Sequence, residues 1–501
     1  MGVEAFPAPV RRKLTEAARA SHDLIIIGGG VYGVAVTLEA TRRGLKPLLI
    51  ERDDFGQHTS FNSLRIVHGG LRYLQNLDLL RFRESVGERR WFLKHFPDLV
   101  RPLDCLMPLY GKGLRRPQVF RAALWLDHLL AFDRNRGVDR ERHIRRGRVI
   151  SADEARLQVP DLNEPGMQGA ARWQDGAMAS SELLLFEMLR WAVAGGAQAI
   201  NHMTVTGVEA DGDRVTGVAA RDSLNGSQHV FRAPLVINCA GPQVRSILAG
   251  LAGDGEHLFR PSLGFNLLLD RPAPWDVAVT VEPARDGAGT LFLHPWYGRI
   301  LVGTVHCPWT TGTSGPPVVS EADVTATLGD VAQRFPSLKL DRDAVLEVRA
   351  GFLPATEPGG CVQAKKPVIV DHGQPARSGR TLSGLFSVSG VKWTTARHVA
   401  ARLFSSLQRK KRIEAPTPIE LPRPKALLTI GARAFLALSG DEARRWTTLF
   451  REETSALTPQ DVIRRRTEWQ SEPELAHDLE QRLTREWPGE SKNQDLKAGT
   501  G

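Results

Sequence analysis

Three glycines at fixed spacing offer the first chemistry. Gly28-Gly29-Gly30-Val31-Tyr32-Gly33 is a G-x-G-x-x-G run that follows the apolar stretch Leu24-Ile25-Ile26-Ile27 and opens a segment, residues 31–43, with apolar residues at helical spacing. In such a turn Gly28 makes the tight bend, Gly30 lets the backbone approach a pyrophosphate, and Gly33 lets helix and strand pack closely. The helix N-terminus then presents free N–H groups and a partial positive charge to phosphate. Glu51 ends the next apolar run, with Arg52 beside it, and its carboxylate suits the hydroxyls of an adenosine ribose. The chemistry implied is dinucleotide binding. The motif by itself leaves NAD and FAD open.

These groups need a parallel sheet beneath them. The run 24–27, the helix 31–43 closed by Gly44, and the run 46–50 form one βαβ unit. Residues 235–241 and 385–390 are two more apolar runs that stop at glycine, the second followed by a helix from about 394 to 408. Residues 182–194 read as a helix, and 203–210, 214–221 and 229–232 as strands joined by turns at Asp211-Gly212 and Asn225-Gly226. Residues 260–352 alternate strand-like runs with Pro and Gly, which predicts a separate mixed sheet. The stretch 416–424 is rich in proline and reads as a linker, followed by polar, helical sequence to about Trp487. Residues 1–21 read as a short polar lead-in.

Composition narrows the class. Of 501 residues, 42% are hydrophobic and 24% charged, which excludes a disordered or fibrous chain. Basic residues outnumber acidic ones, 66 to 56, for a net charge of +10, a balance suited to an anionic ligand, a membrane surface or nucleic acid. Cys105, Cys239, Cys307 and Cys361 form no C-x-x-C pair, so neither a disulfide scaffold nor a zinc module is expected, no metal site is assigned, and a reducing compartment is the default. Arg11-Arg12-Lys13 precedes no apolar segment of signal-peptide type, and no apolar run is long enough to cross a bilayer. A cytoplasmic protein is expected.

A second segment points to FAD. Residues 59–74, Thr-Ser-Phe-Asn-Ser-Leu-Arg-Ile-Val-His-Gly-Gly-Leu-Arg-Tyr-Leu, resemble the signature of FAD-dependent glycerol-3-phosphate dehydrogenases, within the wider D-amino-acid-oxidase-like flavoprotein superfamily. The resemblance continues in Asn238-Cys239-Ala240-Gly241-Pro242, Gly303-Thr304-Val305-His306, Ala350-Gly351-Phe352-Leu353-Pro354, Gly390-Val391-Lys392-Trp393-Thr394-Thr395 and, in a C-terminal helical part, Asp461-Val462-Ile463-Arg464-Arg465-Arg466-Thr467. It covers roughly residues 22–470. It implies an α/β fold: an FAD-binding, Rossmann-like domain of the GR2 type (22–105, 150–258 and 352–410), a mixed-sheet substrate domain (106–149 and 259–351), a linker (411–424), a C-terminal helical domain (425–490) and a disordered tail (491–501).

The same resemblance implies which residues hold FAD without a covalent bond: Gly28, Gly30, Gly33, Glu51, Arg52, Thr59, Ser60, Ser63, His68, Gly69, Gly70, Val205, Ala240, Gly241, Gly390, Lys392, Trp393 and Thr394. Ser60 and Ser63 would meet the phosphates. Covalent attachment through Cys307, Cys361 or His68 stays open. Lys392 and the N–H groups of the helix that follows it would stabilise negative charge near flavin N1 and O2.

Departures from the family pattern fall in the substrate pocket. Leu353 and Pro367 stand where the resemblance implies arginines, which would grip a phosphate as planar forks. Each lost fork would cost about 1.5–3 kcal/mol if nothing replaced it. Asn266 replaces a histidine, His306 replaces an aspartate, and His294 is new, while Lys365 and Lys366 could supply charge. Oxidation of a CH–OH centre needs a base titrating near the working pH, so His306 is the first candidate and His294 the second. Arg72 and Tyr73 would orient the substrate. The expected activity is FAD-dependent oxidation of a small CH–OH compound, with altered specificity. An amine or amino-acid oxidase of the same superfamily is the alternative, and an FAD-containing RNA-related protein a lesser one.

Partners follow from charge and from the family. Arg134, Arg136, Arg140, Arg142, Arg145, Arg146 and Arg148 crowd together after the apolar helical pattern of 119–132, the combination expected of a peripheral contact with an anionic membrane. The electron acceptor is expected to be quinone or oxygen. No nucleic-acid module is present, and an oligomer stays open.

Overall fold

The structure, a computed structural model, describes residues 6–487 apart from 7, 75–76, 112, 161, 163–165, 249–256, 284–288, 375–380, 411–412, 414–416 and 428–429. Its first layer is a six-stranded sheet in the order Val368–Asp371, Leu385–Ser389, Val236–Asn238, Leu24–Ile27, Pro47–Ile50, Gln198–Ile200. All neighbours run parallel except the edge strand Val368–Asp371. The central strands are buried along their whole length, as a parallel sheet covered on both faces demands. The helices Val31–Arg42, Ser181–Ala194 and Ala396–Arg409 supply one cover. A three-stranded antiparallel meander, Met203–Asp211, Arg214–Asp222 and Gln228–Arg232, turns at Gly212 and Gly226, both at positive φ.

The second layer is a nine-stranded, mostly antiparallel sheet. Val345–Pro354, Pro261–Leu269, Arg299–Cys307, Leu291–Trp296 and Ala278–Val281 lead across it to Val100–Leu109 and Gly169–Met178. The expected boundaries at 105/106 and 351/352 fall inside two of these strands. Gly169–Met178, expected in the cofactor part, pairs along its length with Val100–Leu109. Pro102 and Pro108 break the period-two pattern of the latter strand, so its continuity was hidden in the sequence.

The C-terminal helices Gly440–Thr454 and Ala476–Glu486 pack on the first layer and bury Phe450, Leu479 and Leu483. Val10 N–H donates to the Glu453 carbonyl, so the lead-in is part of this packing. The expected linker is pinned where it is described: the Arg423 guanidinium donates to Asp98 and to the His95 carbonyl, and Ile419 N–H to Arg42. The tail 491–501 lies outside the described residues.

Candidate active site

A cavity of about 1110 Å³ is lined by both layers. On the parallel-sheet side the chain turns at Gly28, at φ +104°, and a Cβ there would sit 2.6 Å from the Cys239 carbonyl oxygen. Gly30 forms the N-cap of Val31–Arg42, and Val31 N–H donates to Ser60 Oγ at 2.9 Å. Glu51 is buried and accepts from the N–H groups of Gly29 (2.6 Å) and Asp53 (2.9 Å). Burial pushes its carboxyl pKa up against those two donors. Arg52 pairs with Asp53 at the edge of the cavity.

Most residues expected at the cofactor line this cavity: Gly28, Gly30, Glu51, Arg52, Thr59, Ser60, Ser63, His68, Gly70, Val205, Ala240, Gly241, Gly390, Lys392, Trp393 and Thr394. Gly33 and Gly69 support it from behind. Gly33 packs on the Gly28 carbonyl, and Gly69 N–H donates to Asp175 at 2.6 Å. Ser63 Oγ and Trp393 Nε1 are buried without a hydrogen-bond partner, although both residues face the cavity. A glycine turn, a buried carboxylate, three hydroxyls and orphaned polar atoms fit an adenine dinucleotide.

Two buried acids that the motifs did not single out hold this wall. Asp175 takes Gly69 N–H, Arg89 (2.9 Å) and the Trp173 indole (3.2 Å), with His68 Nδ1 at 3.3 Å. Glu182 receives both ends of the Arg65 guanidinium, at 2.6 and 2.7 Å, and so anchors the 59–74 segment. Asp175 sits in a strand of small and polar residues around one tryptophan, with no local signal. Glu182 was visible only as a helix-start acid.

On the large-sheet side the floor is a row of cross-strand partners. Gly351, Gly264 and His306 oppose one another on three adjacent strands, and Leu353, two residues on from Gly351, lies over Gly264. His306 is largely enclosed and its Nδ1 has no partner. Burial, then the nearby positive charge of Arg72, lowers its pKa below the usual histidine value. Lys392 contacts the Tyr73 hydroxyl and stands over that ring at 4.4 Å. Burial and then Arg72 bring its pKa down to about 8. Arg72, His306, Tyr73, Lys392 and Leu353 thus share one chamber.

Two expectations need correction, and one further pair of donors is already engaged. His294 does not line the cavity: it is buried in the sheet, its Nδ1 3.3 Å from the Leu64 carbonyl, and burial brings its pKa to about 4. Asn266 is also behind the wall, where its amide donates to the Asn62 carbonyl (2.7 Å) and accepts from Thr304 (2.9 Å), two residues whose positions it fixes. The N–H groups of Val391 and Lys392 are not free for a ligand, because both donate to the Tyr32 hydroxyl. Tyr32 occupies a variable position of the glycine run and carried no signal of its own.

The described residues contain no helix long and apolar enough to cross a membrane. None of the four cysteines forms a disulfide.

The family model for FAD dependent oxidoreductases matches residues 23–404. The chain is 29% identical to a glycerol-3-phosphate dehydrogenase of Synechocystis sp. over 82% of its own length and 74% of that protein. It is 32% identical to an alpha-glycerophosphate oxidase of Streptococcus pyogenes over 66% of its length, which spans only about half, 54%, of that relative. A glycerol-3-phosphate dehydrogenase from Bacillus halodurans, solved with FAD, superposes with a TM-score of 0.72 at 22% identity, covering 95% of this chain and 93% of that one.

Proposed function

The chain belongs to the family of FAD-dependent oxidoreductases, and from that premise we propose that it oxidises a small CH–OH substrate in the chamber between His306 and Lys392. When bound, FAD supplies the acceptor for the hydride that leaves the substrate carbon. His306 takes the hydroxyl proton. The observation that carries this reading is its position: a histidine kept neutral by burial, on the floor of the cavity beside Gly264. A neutral imidazole can accept a proton at neutral pH, whereas an imidazolium cannot.

Arg72 forms no ion pair among the described residues, and Lys392 meets only a phenol. The two cations sit close enough to lower the Lys392 pKa, so an anionic or electron-rich substrate oxygen beside them relieves their repulsion. Leu353 and the Pro316-Pro317 wall offer apolar contact and no planar fork. This supports a substrate with one polar or charged handle in preference to a phosphate held by arginine pairs. Amine or amino-acid oxidation is the weaker reading, since both sequence relatives above are named for glycerophosphate. Anaerobic addition of sn-glycerol-3-phosphate and of unphosphorylated hydroxy compounds, followed by flavin absorption, tests the choice. Rapid bleaching by the phosphate ester alone would overturn the altered specificity.

The acceptor is quinone in this proposal, reached from a membrane surface. Trp125, Leu129 and Phe132 are exposed at one-turn spacing on and just after the helix Pro117–Leu130, and Leu77 and Leu80 are exposed beside it, at 75% and 81%. Arg121, Arg136, Arg140, Arg145 and Arg146 are exposed in the same region, while Arg134 is buried on Asp127 and Arg148 pairs with Glu154. Apolar side chains ringed by arginine suit an anionic lipid surface. Phe120 of this helix and Arg72 and Tyr73 of the neighbouring helix Leu71–Leu74 line the cavity, so the apolar patch adjoins the site. Flotation with anionic vesicles is expected to be salt-sensitive and lost in Leu80→Ser/Phe132→Ser. Unchanged flotation of that variant would contradict the contact.

A further inference from the structure

Tyr32 stands where the glycine run specifies nothing, yet its side chain links the two halves of the cavity. Its ring lies directly against Gly390: a Cβ on that residue would fall 1.8 Å from the ring Cζ. The hydroxyl accepts from Val391 N–H at 3.0 Å and Lys392 N–H at 3.1 Å, and donates to the Lys392 carbonyl at 2.7 Å. One phenol therefore pairs with three backbone groups of two adjacent residues, Val391 and Lys392. Buried groups of this kind are costly to leave unpaired.

The backbone hold matters because no opposite charge among the described residues fixes the Lys392 ammonium, which meets only Tyr73, through its hydroxyl and its ring. Its side chain contacts the Tyr73 hydroxyl, and the charge that acts on it is Arg72, which repels it. No carboxylate among the described residues pairs with it. The position of the ammonium is then set from the other end, by the extended backbone at Lys392 that precedes the short helical turn Trp393–Thr395. We propose that Tyr32 is a positioning residue for Lys392, fixing from the cofactor-binding helix the place of a cation in the reaction chamber. The inference rests on the role given to Lys392 above. It couples the two ends of the site: the helix whose N-terminus faces the dinucleotide also carries the group that orients the chamber.

Tyr32→Phe keeps the ring against Gly390 and removes only the oxygen, so the fold has little reason to change. With FAD saturating, kcat is expected to fall roughly tenfold or more, the size of effect that unpaired buried N–H groups produce. FAD affinity should stay close to wild type, and the alkaline limb of the pH profile should move, because the ammonium has shifted. The decisive arm is the double variant. If Tyr32 acts through Lys392, Tyr32→Phe costs nothing further in a Lys392→Met background. Equal losses in both backgrounds would show a merely structural role and overturn the inference, as would a fully active Tyr32→Phe beside a crippled Lys392→Met. Full activity in Lys392→Met alone would instead strike the role of Lys392, and this inference with it.

Discussion

At the scale of single residues, His306 and Lys392 govern the proposed chemistry. Replacing His306 with Ala is expected to lower kcat by about 10²–10⁴ while the protein stays yellow, the range for loss of a general base. The pH profile follows from the two directions. His306 titrates below the ordinary histidine value of 6.5, so activity rises through the acid limb earlier than a free imidazole would allow. Lys392 loses its proton near pH 8, so activity falls beyond that as the chamber loses a positive charge. A steady-state profile of kcat/KM checks both limbs, and loss of the alkaline limb in Lys392→Met assigns it. The glycines and Glu51 were legible because backbone geometry and phosphate chemistry demand those residue types at that spacing. Tyr32 and Asp175 were not, nor was the supporting role of Asn266, because each acts on backbone or loop groups distant in sequence. His294 misled because a histidine in a strand reads the same whichever face of the sheet it occupies.

At the scale of elements, the loop after Pro47–Ile50 lines the cavity with Glu51 and Arg52 and is clamped from behind by the C-terminal segment. Asp54 is fully buried and receives Arg466 (2.7 and 3.0 Å), Arg465 (2.5 Å) and the Asn201 amide (3.0 Å). Burial would raise its carboxyl pKa, but the two guanidinium groups outweigh that and hold it well below the usual range. Asp54→Asn leaves Arg466 buried and unpaired, a loss of about 3–5 kcal/mol. Thermal unfolding should therefore come earlier, and FAD should escape faster on dilution, read as recovered flavin fluorescence. An unchanged release rate would mean that the clamp does not reach the cofactor loop. The arginine run was visible in the sequence only as a family motif. Its partner, some 400 positions away, could come only from the fold. The short apolar strands ending at glycine were readable because burial on both faces leaves a continuous apolar run.

At the scale of the whole molecule, two layers enclose one cavity, and the class of fold could be read from three apolar strands stopping at glycine. The order of the large sheet could not, since its strands are brought together from distant parts of the chain and two of them carry prolines in their interior. Stability should reflect the buried acids. Burial raises the Asp175 pKa, but His68, Arg89 and Gly69 N–H bring it down to about 2, from an ordinary 3.8. A depressed folded value adds stability above the unfolded value, and this is lost as pH falls through the folded one. Unfolding monitored by circular dichroism should accordingly ease between about pH 4 and pH 2, and less so in Asp175→Asn. The most direct test of the central claim is anaerobic: mix the holoprotein with small hydroxy compounds, phosphorylated and not, and follow flavin absorption in wild type and in His306→Ala. The account predicts bleaching by at least one CH–OH compound in wild type and a bleaching rate lower by about 10²–10⁴ in the variant. Equal rates in both proteins, or bleaching by amines alone, would contradict it.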